Sequence, residues 1–287
     1  MSARPFRQVD VFGSGPYRGN PVAVILDADG LSDAQMQRIA TWTNLSETTF
    51  VLSPTTPDAD YRVRIFTVTE ELPFAGHPTL GTARAWLDAG RTPHQPGNVV
   101  QECGAGLVPV RVDGESLAFA APPRIRQGAV EETDLAVACD RLRIARDEVV
   151  DAAWVDNGPG WLGLLLADAS RVLECEPDAS PRSERGFYGL VGLYGAGHGI
   201  GHPEGVDLEV RAFVYDAGAP VWEDPVTGSL NASLAQWLTE SGRIEAPYVA
   251  RQGTAMGRDG RVSVTADAEE IWVGGFTRVA VAGTIQA

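Results

Sequence analysis

The sequence predicts an α+β protein made of two similar halves, and three observations carry that expectation. Alternating apolar segments of strand length recur along the 287 residues, two strongly apolar helical patterns each follow a glycine, and the segments leading into those helices match one another.

The elements follow in order. Arg7-Gln8-Val9-Asp10-Val11-Phe12 alternates as a half-buried strand, Gly19-Asn20-Pro21 reads as a turn, and Val22-Ala23-Val24-Ile25-Leu26 as a more buried strand, giving a hairpin-like opening. Ser32-Asp33-Ala34-Gln35 has the form of a capping box, with Met36, Ile39 and Ala40 at helical spacing behind it, so a helix is expected over 33–43, ending near Asn44. Thr48-Thr49-Phe50-Val51-Leu52 is rich in β-branched and apolar residues, which places Glu47 at a helix-to-strand junction, where working side chains are common. Tyr61 to Thr67 alternates as a strand. Leu80, Ala83 and Leu87 then mark a helix that stops near Gly90, and 99–112 and 116–120 return to strand character. Pro122-Pro123 opens a break that runs to about Val130, after which a helical pattern begins near Glu131.

The repeat is explicit when the halves are aligned. Val63-Arg64-Ile65-Phe66 matches Val210-Arg211-Ala212-Phe213, and Glu71-Leu72-Pro73-Phe74-Ala75-Gly76-His77 matches Glu223-Asp224-Pro225-Val226-Thr227-Gly228-Ser229, with five more residues between strand and motif in the second copy. Behind each glycine runs an apolar stripe, Leu80/Ala83/Leu87 or Leu230/Leu234/Trp237/Leu238, and each helix ends at a glycine, Gly90 or Gly242. A helix start offers unpaired N–H groups and partial positive charge, and glycine lets an anion approach the backbone, so two such starts suit a small carboxylate. The plainer reading makes Gly76 and Gly228 turn formers, with His77 and Ser229 as caps.

Composition excludes several chemistries. All 23 basic residues are Arg, so a pyridoxal Schiff base, a Walker A loop and a lysine-dependent aldolase are ruled out. A net charge of −15 without a basic patch speaks against nucleic acid as a partner. No apolar run approaches the ~18 residues of a membrane span and the N-terminal segment lacks a secretory core, so no membrane association and a cytoplasmic location are expected. Cys103, Cys139 and Cys175 stand apart without a CxxC pattern and are expected as buried, reduced thiols.

With these residues assembled, the chain resembles the PhzF family, the phenazine-biosynthesis isomerases and their homologues, which share the diaminopimelate-epimerase fold. The resemblance rests on Gly19-Asn20-Pro21, on Asn44-x-Ser46-Glu47-Thr48-x-Phe50-Val51, on Glu71-x-Pro73-Phe74-Ala75-Gly76-His77-Pro78-Thr79-x-Gly81, and on Glu223-Asp224-Pro225-x-Thr227-Gly228-Ser229. Gln252-Gly253, Gly257-Arg258 and Val273-Gly274-Gly275 extend it to nearly the whole chain. It implies two pseudo-symmetric halves, each a curved mixed sheet wrapped around a central helix. The expected halves are 1–122, with a C-terminal strand near 276–287 as a candidate to complete it, and 123–275, with the active site in the cleft between them. It also implies a homodimer.

The resemblance further implies a cofactor-independent double-bond isomerase of secondary metabolism, of the trans-2,3-dihydro-3-hydroxyanthranilate type. Such an enzyme moves a proton between carbons of a small unsaturated, cyclic, amino-acid-like carboxylate. Glu47 matches the family's catalytic glutamate. His77 and Asp224 match residues that contact polar groups of the substrate and assist proton delivery. Gly76, Gly228 and Ser229 would bind the carboxylate, with Asn20 a further substrate contact. Related epimerases use two cysteines, and the resemblance places Ala75 and Thr227 at the corresponding positions, so two-thiol racemisation is not expected. Read without the family, Glu47 is a surface carboxylate, Asp224 a helix cap and His77 a satisfied buried imidazole. A non-catalytic carboxylate-binding protein of the same fold is the alternative. A metal-dependent hydrolase using His198, His202 and Glu204 is a third, but the glycines and the proline of 195–204 deny the histidine spacing a helix, so a loop without metal is expected.

Overall fold

The computed structural model describes residues 2–195 and 205–287, which form two compact units. One comprises Met1–Ala120 with Val273–Ala287, the other Ala121–Trp272.

The first unit runs β1 (Ala3–Val11), β2 (Asn20–Ile25), α1 (Asp33–Thr43), β3 (Thr48–Leu52), β4 (Tyr61–Phe66), β5 (Glu71–Leu72), α2 (Gly76–Asp88), β6 (Asn98–Cys103), β7 (Gly106–Asp113) and β8 (Ser116–Ala120). β1 lies antiparallel to β2 and to the C-terminal strand Ile271–Gln286, β2 parallel to β3, β3 antiparallel to β4, and β4 parallel to β6. β6, β7 and β8 form a meander, and β8 pairs with the C-terminal strand, so the sheet closes on itself. α2 fills the ring: Gly76 to Ala83, Ala85 and Trp86 are all buried. With Gly81, Thr79 and Thr82 along it, this helix has modest intrinsic propensity and depends on the strands around it. Gly81 is needed because a Cβ there would stand 2.2 Å from Cγ1 of Val22 on β2. Outside the ring, α1 covers Ile25, Phe50 and Phe66 with Met36 and Ala40. Its start carries the expected capping box between Ser32 and Gln35, and Asn44 closes it in the left-handed region.

The second unit runs β9 (Arg126–Ala129), α3 (Glu132–Leu142), β10 (Val149–Asp156), β11 (Trp161–Leu166), α4 (Ala169–Glu174), β12 (Gly186–Leu193), β13 (Leu208–Tyr215), β14 (Trp222–Asp224), α5 (Gly228–Glu240), β15 (Tyr248–Gln252) and β16 (Gly260–Ala266). Its pairings repeat those of the first unit: β10–β11 antiparallel, β11–β12 parallel, β12–β13 antiparallel, β13–β15 parallel and β15–β16 antiparallel. α5 is the counterpart of α2, and again a glycine admits it: a Cβ on Gly189 of β12 would stand 2.4 Å from Leu230. α3 and α4 cover the other face through Leu135, Leu142 and Val172.

Three local expectations are corrected. Asn20 and Pro21 belong to β2 rather than to a turn, because the reversal is made upstream, where Asp10 accepts the N–H groups of Arg18 and Gly19 at 3.1 and 2.9 Å. The strand-like stretch 99–112 is two strands, split at Gly104, which lies so close to Pro73 that a Cβ would meet its Cα at 2.8 Å. The break 121–130 contains β9, paired antiparallel with β10. Cys139 and Cys175 are buried as expected, whereas Cys103 is only half buried; all three are free. No helix among the described residues is long and apolar enough to cross a membrane.

Candidate active-site elements

Glu47 sits in the short link between α1 and β3, as the sequence predicts, and is held there by the left-handed turn at Asn44 and the start of β3 at Thr48. His77 is the second residue of α2, and its Nε2 lies 3.4 Å from Oε2 of Glu47. Its side chain is 4% exposed and that of Glu47 is 15% exposed. On the other ring nitrogen, Asn20 Nδ2 lies 3.5 Å from His77 Nδ1. Burial pushes the His77 pKa down to about 3, opposed by a backbone hydrogen bond with Pro21, so the imidazole is neutral at neutral pH. A neutral imidazole carries one N–H that donates and one ring nitrogen that accepts, so it can hydrogen-bond a carboxylate or a carboxylic acid without creating a buried ion pair.

Ala75 is the N-cap of α2 and has no side chain able to cap it. Thr227 holds the same place at α5. Its residue type could cap, yet its hydroxyl donates to Asp224 Oδ2 at 2.7 Å and accepts from Gln252 Nε2 at 3.0 Å. Both helix starts therefore lack a side-chain cap, which leaves their first N–H groups and the positive end of the dipole to other acceptors.

Around α5, Gln252 organises the approach. Its Oε1 accepts from Thr227 N at 3.0 Å and from Asn231 Nδ2 at 2.8 Å, and its Nε2 donates to the Asp224 carbonyl at 3.0 Å. Asp224 is 8% exposed and so reaches the helix start as a buried side chain fixed through Thr227. Ser229, second in α5, accepts from Trp161 Nε1 at 3.1 Å.

The internal repeat holds at atomic detail. Arg64 grips Glu71 through Nε at 2.7 Å and Nη2 at 2.5 Å, and Arg211 grips Glu223 through the same two nitrogens at 2.9 and 2.8 Å. In each unit the glutamate faces the phenylalanine two residues beyond the arginine, Phe66 or Phe213, and the guanidinium lies over that ring. The pair fixes the short strand β5 or β14, and with it the loop that delivers the central helix.

Of the sequence-predicted residues, the first unit brings together Glu47, His77 and Asn20 beside Gly76, and the second brings Asp224 beside Gly228 and Ser229. His198, His202 and Glu204 lie outside the described residues. Among the described residues, no group of three or more His, Cys, Asp or Glu is placed to hold a metal ion. Sequence reasoning missed Asp156 and Trp161, and it quoted Asp10 and Gln252 without giving them a task. Trp161 was reachable: it follows Gly160 at the head of β11 as Asn20 follows Gly19 at the head of β2.

Comparison with known proteins agrees with this architecture. The family described as Phenazine biosynthesis-like protein matches residues 9–285. The trans-2,3-dihydro-3-hydroxyanthranilate isomerase of Pseudomonas fluorescens is 36% identical over 283 residues, covering 96% of this chain and 94% of its own. The Schizosaccharomyces pombe protein called Antisense-enhancing sequence 1 is 35% identical over 302 residues, covering 99% of each chain. Among solved structures, the Bacillus anthracis phenazine biosynthesis protein of the PhzF family superposes with a TM-score of 0.78 at 22% identity, covering 100% of both chains. The fold is that of the diaminopimelate-epimerase-like proteins, and the chain belongs to the Phenazine biosynthesis-like family. Within that family it is an isomerase.

Proposed function

We propose that the protein is a cofactor-independent double-bond isomerase, with Glu47 as the group that moves the proton. The observation that carries this reading is the contact between Glu47 and a buried, neutral His77 beside a helix start that no side chain caps. The substrate class is a small unsaturated cyclic amino carboxylate, in keeping with the Pseudomonas relative's name.

In this reading the Glu47 carboxylate takes a proton from an sp3 carbon of the substrate, and the electron pair of that C–H bond spreads into the adjoining π-system. The same carboxyl group then returns the proton to another carbon of that system, the double bond shifts, and Glu47 is again a carboxylate with no net redox change. His77, neutral, hydrogen-bonds substrate or Glu47, and assists proton delivery by giving the hydrogen of one ring nitrogen as the other ring nitrogen receives one, so that it stays neutral. The candidate donors for a substrate carboxylate are, in the first unit, the N–H at Gly76 and, in the second, those at Gly228 and Ser229; Asp224 is the candidate acceptor for an N–H or O–H of the substrate, and Asn20 orients His77.

The test is to incubate trans-2,3-dihydro-3-hydroxyanthranilate and related diene carboxylates with the protein in D2O and follow them by NMR. Deuterium at the carbon that receives the proton, with the double bond moved, is the expected result. Binding without exchange would leave a carboxylate-binding protein instead, and full activity in Glu47→Gln would sink the assignment of Glu47.

A further inference from the structure

Each unit ties the second residue of its central helix to the residue that heads a neighbouring strand. In the first unit that residue is Asn20, which lies 3.5 Å from His77, and the N–H of the preceding Gly19 is held by Asp10 at 2.9 Å. In the second unit it is Trp161, whose indole donates to Ser229 Oγ at 3.1 Å, and the N–H of the preceding Gly160 is held by Asp156 at 2.7 Å. The connecting turns differ in length and sequence, yet both end in an aspartate-held glycine followed by a side chain that touches the helix start. Asn157, inside the second turn, adds a bond from Nδ2 to the Ser229 carbonyl at 2.9 Å.

The chemistry of the two donors sets a direction. An indole N–H can only donate, whereas a serine hydroxyl has one hydrogen to give and lone pairs to receive. Trp161 therefore occupies a lone pair of Ser229 and leaves its hydrogen to go to another acceptor. Trp161 cannot swing away from this duty: it is 3% exposed and stands edge-on to Phe187, ring centroids 5.5 Å apart.

We propose that Trp161 is a positioning residue of the reaction, holding the Ser229 hydroxyl as a donor beside the uncapped N–H groups of α5, so that a substrate carboxylate meets donors only. The proposal rests on the reading that the start of α5 binds the carboxylate. Asn20 Nδ2, like the Trp161 indole N–H, can only donate, so each of the two side chains faces its partner in the central helix with a donor.

Isothermal titration with 3-hydroxyanthranilate, a stable aromatic amino carboxylate, on the wild-type chain, Trp161→Phe, Ser229→Ala and the double variant tests this. Trp161→Phe should weaken binding about fivefold, as expected for one net hydrogen bond. It should cause no further loss in the Ser229→Ala background, whereas a general packing defect would simply add. Wild-type affinity in Trp161→Phe, or additive losses, would overturn the proposal while leaving the carboxylate reading in place. Failure of Ser229→Ala to weaken binding, or of the wild-type chain to bind at all, would overturn the carboxylate reading and the proposal with it. Should Trp161→Phe not fold, hydrogen exchange at the Trp161 indole decides. The ligand should slow it in the wild-type chain and not in Ser229→Ala, and exchange indifferent to ligand in both counts against the proposal.

Discussion

His77 on α2 presents Nε2 to Oε2 of Glu47 across 3.4 Å, although the two residues come from different elements, a helix start and a helix-to-strand link. The contact places a titratable carboxyl group against an imidazole that burial keeps neutral. That pairing is the basis for the first two expectations.

Replacing Glu47 by Gln keeps the shape and removes the proton carrier. Solvent deuterium incorporation should fall by about two to four orders of magnitude, the usual worth of a general acid–base group. The thermal midpoint should stay close to wild type, because Glu47 is partly exposed in a link rather than in a core.

The His77 pKa lies near 3 in the folded protein against an ordinary value of 6.5, so the folded state binds fewer protons than the unfolded chain between those values. Stability is therefore unaffected by His77 above about pH 6.5 and is lost as the pH falls from there towards 3, with a slope of at most about 1.4 kcal/mol per pH unit. Urea unfolding of the wild-type chain and His77→Gln at pH 7, 6 and 5 checks this. The variant should show a shallower loss, and parallel curves would contradict the neutral, buried imidazole.

The two repeated ion pairs should differ in worth. Arg211 and Glu223 have side chains 6% and 13% exposed, whereas Arg64 and Glu71 are 18% and 41% exposed. Glu223→Gln leaves a buried guanidinium without its partner and should cost about 3 kcal/mol. Glu71→Gln breaks a pair that solvent screens and should cost less than about 1 kcal/mol. Guanidinium chloride melts of the two variants measure the difference, and equal losses would show that burial does not set the scale.

Gly81→Ala should destabilise the first unit by about 1–3 kcal/mol, because the new methyl meets Val22 on β2 at 2.2 Å. Adding Val22→Ala should recover part of the loss. No recovery would mean that the strain lies elsewhere than in this contact.

Much of the fold was legible in the sequence because local signals agreed with the tertiary outcome. The capping box at Ser32 and the left-handed Asn44 gave α1 both of its ends, and the Val-Arg-x-Phe repeat marked β4 and β13. Where local and tertiary signals diverged, reading failed. Asn20-Pro21 looks like a turn until Asp10 is seen to take the backbone N–H groups of Arg18 and Gly19, a contact eight to nine residues back along the chain. The repeat also hides an inversion that alignment cannot show. Arg62 faces Glu102 across β4 and β6, while the equivalent strands β13 and β15 set Glu209 against Arg251. Glu209 is fully buried and accepts from Tyr194 at 2.6 Å, so the charges have changed sides and surroundings.

The sequence by itself determined the duplication, the two glycine-led helices and the place of Glu47, because periodicity, caps and repeated motifs are properties of neighbouring residues. Tertiary structure decided which groups meet. It tied the Thr227 hydroxyl to Asp224, made His77 neutral by burying it, and set Trp161 against Ser229. Each of these depends on strands distant in sequence closing around a helix, where loss of water and the geometry of a few donors and acceptors fix a residue's proton and direction.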